Sequence, residues 1–163
     1  MDTGKIGIVG NGVGATMSVA VALMAKADGG PEFRVQILMW PAMKAEFDTA
    51  SWQVFHRERL LTAERMKWMW DQYTTDEAQR REIYASPLHA TPQQLKGLPP
   101  TLIQVAENDI LRDEGRNLAG RWITRAWWQQ RLSTMGLFTI SLFLTICRSF
   151  RKRGAVFCRQ PRN

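Results

Sequence analysis

Lys5-Ile-Gly-Ile-Val-Gly10, then Asn11-Gly-Val-Gly-Ala15, then Thr16-Met-Ser-Val-Ala-Val-Ala-Leu-Met-Ala-Lys26 is the stretch whose reading decides the fold. The first six residues are a short apolar run with β-branched side chains that closes on glycine, which is the pattern of a buried strand. The glycine-rich segment is a tight turn. Thr16 to Lys26 is apolar throughout and rich in good helix formers, which predicts a helix buried against a sheet. Asp28-Gly-Gly-Pro31 stops it, because glycine suits the left-handed position after a helix and proline bars continuation. Arg34 to Trp40 (RVQILMW) reads as a second strand, closed by Pro41. Strand, helix and strand joined by tight turns form a βαβ unit, which requires a parallel sheet with a right-handed crossover.

Downstream, residues 41–61 are irregular and aromatic (Phe47, Trp52, Phe55). Thr62 is an N-cap, and Ala63 to Tyr73 (AERMKWMWDQY) reads as a helix. Met66, Met69, Trp70 and Tyr73 share one face of it, a spacing that points to core or lid packing. Ser86-Pro-Leu and Gly97-Leu-Pro-Pro100 are turns, and Thr101 to Val105 is a third strand. Asn108-Asp109 follows that strand's C-terminal end, where open α/β sheets place their chemistry. The fold class is α/β: a partial, parallel β-sheet with flanking helices.

Two readings compete for the turn Gly10-Asn-Gly12-Val-Gly14-Ala15. As G-x-G-x-x-A between a strand and a helix, Gly10, Gly12 and Ala15 form a dinucleotide fingerprint, with the pyrophosphate seated on the helix N-terminus. That reading lacks the acid that should close the second strand and bind the ribose. The strand ends Met39-Trp40-Pro41, and the nearest acid is Glu46, beyond the proline. As G-x-S-x-G, the same residues form a nucleophile elbow, with Gly12 where the serine belongs. Glycine has no side-chain oxygen, so no acyl-enzyme can form there. The Val13 N–H would still point where an oxyanion-hole donor belongs.

The sequence around the elbow resembles the hormone-sensitive-lipase-like bacterial esterases, the fold-3 branch of the α/β-hydrolases, from about residue 5 to 115. The resemblance is carried by Gly10 to Lys26 and by a following strand that ends in an aromatic and Pro41. It continues through Phe47-Asp-Thr-Ala-Ser51, Met66-Lys-Trp-Met-Trp-Asp-Gln-Tyr73 and Tyr84-Ala-Ser-Pro-Leu88. The last stretches are Leu95-Lys-Gly-Leu-Pro-Pro100, Thr101-Leu-Ile-Gln and Asn108-Asp-Ile-Leu-Arg-Asp-Glu-Gly115. The family's elbow reads G-D-S-A/V-G-G, so this chain departs at Asn11, Gly12 and Ala15. By position, Asp109 matches the acid that orients the catalytic histidine; on local grounds alone it reads as a turn acid at a strand end. His56 and His89 are the two histidines. Neither follows Asp109, where this fold's chain order puts the base, and each reads as a surface or turn residue. The family's strands before the elbow, and its HGG-type oxyanion loop, have no counterpart here. The resemblance implies a small acyl ester as the ancestral substrate, with no cofactor and no metal. Activity is expected to be absent.

The net charge of +7 belongs to one end of the chain. Residues 1–115 carry 12 Lys/Arg against 15 Asp/Glu, whereas residues 116–163 carry 10 Lys/Arg and no acid. This divides the chain into a partial α/β-hydrolase domain (1–115) and a basic, apolar tail (116–163). The tail reads as out-of-frame translation of the family's own C-terminal sequence. Shifted by one base, Thr134 to Ser141 can spell Tyr-Gly-Leu-Val-His-Asp-Phe with permitted codons, which resembles the family's histidine motif. Leu132 to Cys147 is uncharged and mostly apolar but shorter than the ~20 residues of a membrane span, which makes membrane contact a minor alternative. Arg148, Arg151, Lys152 and Arg153 form a basic cluster without a binding fold, so no nucleic-acid partner is expected. Cys147 and Cys158 make no disulfide framework or zinc pattern. The N-terminus lacks the apolar core of a signal peptide, and the body reads as cytoplasmic. A sheet edge without its neighbouring strands predicts self-association.

Overall fold

The computed structural model of the chain describes residues 6–121, all within the compact unit Met1–Leu132. Three strands, β1 (Ile6–Asn11), β2 (Phe33–Met39) and β3 (Thr101–Gln104), form one parallel sheet in the order β1-β2-β3. Gly10 pairs with Leu38 across β1 and β2, and Leu38 pairs with Ile103 across β2 and β3. These three residues share one face of the sheet, since the strand repeat is two.

Helix α1 (Val13–Asp28) lies on that face. A Cβ on Gly10 would stand 2.0 Å from the Gly14 carbonyl oxygen, so strand and helix cross there too closely for any side chain. The helix starts at Val13 rather than at Thr16, because the turn needs only Asn11 and Gly12. The rest of the glycine-rich stretch is the first helical turn. Gly29, in the left-handed conformation (φ 67°), closes the helix, and the Gly30 N–H donates to the Ala25 carbonyl at 2.7 Å. The uniform burial expected of α1 is corrected in one respect. Ala15, Val19, Ala22 and Leu23 are buried, whereas Val13, Met17, Val21 and Met24 form an exposed stripe, with Val13 69% exposed. The hydrophobic composition of the helix exceeds what the described sheet can cover.

The connection from β2 to β3 carries short helices. Helix α2 (Ala50–Val54), capped by Thr49, interrupts the stretch that reads as irregular. Helix α3 (Ala63–Tyr73) starts at the Thr62 cap, whose side chain accepts from the Arg65 N–H, as the sequence predicts. Only half of its apolar stripe is core: Met66 and Trp70 are buried, and Met69 and Tyr73 are exposed. Helix α4 (Glu77–Arg81) follows its Asp76 cap, and α5 (Pro92–Leu95) carries a Thr91–Gln94 capping box.

Helix α6 (Arg112–Arg121) returns to the same face of the sheet as α1. A Cβ on Gly115 would lie 2.4 Å from Val105 Cγ1, so glycine is what admits the helix onto β3. The helix runs without a break past residue 115, where the composition changes. Two apolar clusters result. One joins Ala15, Val19, Leu38, Ile103 and Leu118; the other joins Trp52, Phe55, Met66, Trp70, Ile110 and Leu111. The shifted-frame stretch, the apolar run 132–147, the basic cluster and both cysteines lie outside the described residues. Among the described residues no helix is long and apolar enough to cross a membrane.

Candidate active site

The parallel sheet brings the C-terminal ends of its three strands to one edge. Gly12 follows β1, Trp40-Pro41 follows β2 and Asp109 follows β3. Because β2 is the central strand, Trp40 follows the strand that lies between the other two.

The first position is a turn made by backbone. Gly12 sits at φ 54°, ψ −119°, and its N–H donates to the Met39 carbonyl at 2.9 Å. Its own carbonyl accepts from Ala15 N–H at 3.0 Å, which starts the helix. That combination of angles is costly for any residue with a Cβ. A Cβ built on Gly12 would nevertheless meet no atom of the described residues within 4 Å, so the position is open on their side. Val13 is the first helical residue, and N–H groups there have no acceptor within their own helix. The Thr16 hydroxyl ties the helix to the Ala42 carbonyl, just past β2.

Trp40 is the residue that sequence reasoning left without a role. Its φ of 47° is left-handed, a conformation rare for an aromatic residue. Its N–H donates to the Gln104 carbonyl at 2.8 Å, which joins the ends of β2 and β3. The only local sign of it was an aromatic immediately before Pro41.

Asp109 is half-buried in the turn between β3 and α6. Its Oδ1 accepts from the Leu111 N–H at 2.8 Å. Burial raises its pKa above the ordinary carboxylate range, and the Leu111 N–H partly offsets that. Beside the turn, burial pushes Glu114 up to about 7, against three donors that favour its charged form: Trp52 Nε1, Met43 N–H and Lys44 N–H. Asp113 moves the other way: hydrogen bonds from the Arg112 guanidinium hold its carboxyl below the usual range.

Neither histidine partners the acid. His56 Nδ1 lies 2.7 Å from the Gln53 carbonyl at the surface, and His89 Nε2 lies 2.9 Å from Glu46 Oε1. His89, Glu46, Lys44, Arg116 and Arg121 line a separate polar cleft of about 670 Å³. Among the described residues, then, the edge carries a tight turn with a glycine at residue 12 and a carboxylate with no imidazole beside it.

The β1-β2-β3 order would serve a dinucleotide fold as well as a hydrolase. The comparisons with known proteins remove that ambiguity. Residues 1–130 match the alpha/beta hydrolase fold family. The chain is 36% identical over 142 residues to mimivirus protein R526, an alpha/beta hydrolase by name, covering 87% of this chain and 38% of that one. It is 34% identical over 121 residues to the carboxylic ester hydrolase LipN of Mycobacterium tuberculosis, covering 71% and 32%. Among solved structures, a thermostable esterase from Pseudomonas putida superposes with a TM-score of 0.74 at 48% identity, covering 77% of this chain and 40% of that chain. The chain thus spans between about a third and two fifths of the length of these relatives. The dinucleotide reading of Gly10, Gly12 and Ala15 is therefore set aside, and the missing ribose-binding acid after β2 is its physical counterpart.

Proposed function

Because the chain belongs to the α/β-hydrolase fold family, as an ester-hydrolase-type member, we propose that it is an esterase scaffold unable to form an acyl-enzyme. The observation that carries this is Gly12. The backbone there has the positive-φ angles expected of an elbow, with space among the described residues where a side-chain oxygen would stand. Acyl transfer by this mechanism needs an oxygen at that point, and no other residue of the turn supplies one. Asp109, at the acid's position, has no imidazole among the described residues on which to act.

The ligand class consistent with this edge is a small acyl ester or its carboxylic acid, bound without turnover. A cytoplasmic location belongs to the same proposal, supported by two cysteines that form no framework. So does self-association, supported by the exposed stripe on α1.

A p-nitrophenyl acetate assay tests the reading. The chain should hydrolyse the ester no faster than its Asp109→Ala variant does, and Gly12→Ser alone should not restore turnover. Hydrolysis that is lost on Asp109→Ala would overturn the proposal, since it would demand a nucleophile elsewhere.

A further inference from the structure

The acid turn is tied to a short helix that comes from 59 residues earlier in the chain. Ser51, on α2, has no exposed surface. Its hydroxyl donates to the Ile110 carbonyl at 2.7 Å. That carbonyl belongs to the same planar peptide unit as the Leu111 N–H, which donates to Asp109 Oδ1 at 2.8 Å. The two bonds therefore act on opposite ends of one rigid plate. Holding the carbonyl end fixes where the N–H end points, and hydrogen bonds in series strengthen one another.

Ser51 is itself held from several sides. Its backbone N–H donates to Asp113 Oδ2 at 2.8 Å, and the Asp113 N–H returns a bond to Ser51 Oγ at 3.3 Å. Thr49 Oγ1 lies 3.1 Å from the same hydroxyl. The neighbouring residue, Trp52, donates its indole N–H to Glu114 Oε1 at 2.9 Å. Glu114 Oε2 accepts from Met43 N–H at 2.6 Å and Lys44 N–H at 3.1 Å. These bonds clamp α2 onto the first turn of α6, which starts three residues after Asp109.

We propose that Ser51 is a positioning residue for Asp109, acting through the Ile110–Leu111 peptide, with Asp113 and Glu114 holding α2 in register. This rests on the reading of Asp109 as the acid of an esterase-type site. The hydroxyl makes no contact with a reacting atom; its effect on the carboxylate passes through a peptide plane.

The test uses the full chain and reads two local quantities: the NMR titration midpoint of the Asp109 carboxyl and the hydrogen exchange of the Leu111 amide. Ser51→Ala keeps the volume and removes the donor. The Leu111 N–H favours the charged carboxylate, so loosening it should raise the Asp109 midpoint by about half a pH unit. Exchange at Leu111 should speed up roughly tenfold, while amides of α3 keep their rates. Ser51→Thr, which restores the hydroxyl, should return both readouts toward the original values. If Ser51→Ala fails to fold, Asp113→Asn weakens the hold on the Ser51 N–H and should move the same two readouts less far. A folded Ser51→Ala or Asp113→Asn variant with both readouts unchanged overturns the proposal. So does a Ser51→Ala change that speeds exchange everywhere equally, since that is a stability effect. Neither readout involves ester turnover, so failure here is separable from failure of the esterase reading.

Discussion

At the end of β1 the chain turns through Asn11 and Gly12, and the bonds that shape the turn run between backbone atoms: Gly12 N–H to Met39, Ala15 N–H to Gly12. At the end of β3 it turns through Asp109 to Leu111, where one backbone bond, Arg112 N–H to the Asp109 carbonyl at 3.1 Å, is joined by bonds from the side chains of Ser51 and Asp109, with Asp113 holding Ser51. The first turn keeps its shape although residue 12 carries no side chain, because nothing in that shape depended on one. The second keeps one backbone bond but adds side-chain bonds that reach a helix far back in the chain. A turn made by backbone alone tolerates the lack of a side chain, whereas one that also draws on side chains loses part of its hold when a partner is removed.

The largest effect is expected at Gly10. A Cβ there would meet the Gly14 carbonyl carbon at 2.3 Å as well as its oxygen, and neither is a flexible side-chain end. Gly10→Val should therefore cost more than about 3 kcal/mol and leave little cooperatively folded protein in a thermal melt followed by circular dichroism. Changes of similar size at the acid turn would instead blur local order first.

The pH dependence sharpens the contrast next, since it touches only the side-chain-held turn. Glu114, with no exposed surface, stands at about 7 in the folded chain against an ordinary 4.5. A raised carboxylate value means that the folded chain binds this proton more tightly than the unfolded chain does. Its contribution is present in full below about 4.5 and declines as the pH rises through 7, by on the order of 3 kcal/mol. The difference in stability between the native chain and Glu114→Gln should follow that slope in urea melts between pH 4.5 and 8. A difference that stays flat across that range would mean that the three donors, not burial, govern the group.

At Gly12 the expected effect is smaller. Gly12→Ala places a Cβ in open space but at φ 54°, so only backbone strain opposes it, about 1–3 kcal/mol. A denaturant midpoint shift larger than that would show that the elbow depends on more than backbone geometry. The smallest change belongs outside both turns. Met17, 60% exposed on the α1 stripe, can become lysine at a stability cost within about 0.5 kcal/mol. Sedimentation velocity should show weaker concentration-dependent association in Met17→Lys than in the native chain. Equal association would assign the contact to another surface.

Much of this architecture was legible in local patterns. The β1–turn–α1–β2 unit, the Thr62 cap of α3, and β3 with Asp109 after it are each specified within a dozen residues. Strand alternation, capping and helix-stopping glycines all act over that range. Helix α2 was not legible, because its five residues carry no period and its Thr49 cap is one hydroxyl among several. The α1 stripe was misjudged for a related reason. Val13, Met17, Val21 and Met24 look as apolar as Val19 and Leu23, and only the extent of the sheet decides which side is covered.

By itself the sequence determined that no acyl-enzyme can form at residue 12, because that follows from an inventory of atoms. It also determined that strand, helix and strand must make a parallel unit with its chemistry at one edge, because chain direction and helix length leave no other arrangement. Only the tertiary structure decided that the Ser51 hydroxyl and the Asp109 carboxylate bond opposite ends of one peptide plane, and that the carboxylate of Glu114 lies out of water. Those facts arise between residues dozens of positions apart, where hydrogen-bond geometry and desolvation depend on what surrounds a group in space rather than on its neighbours along the chain.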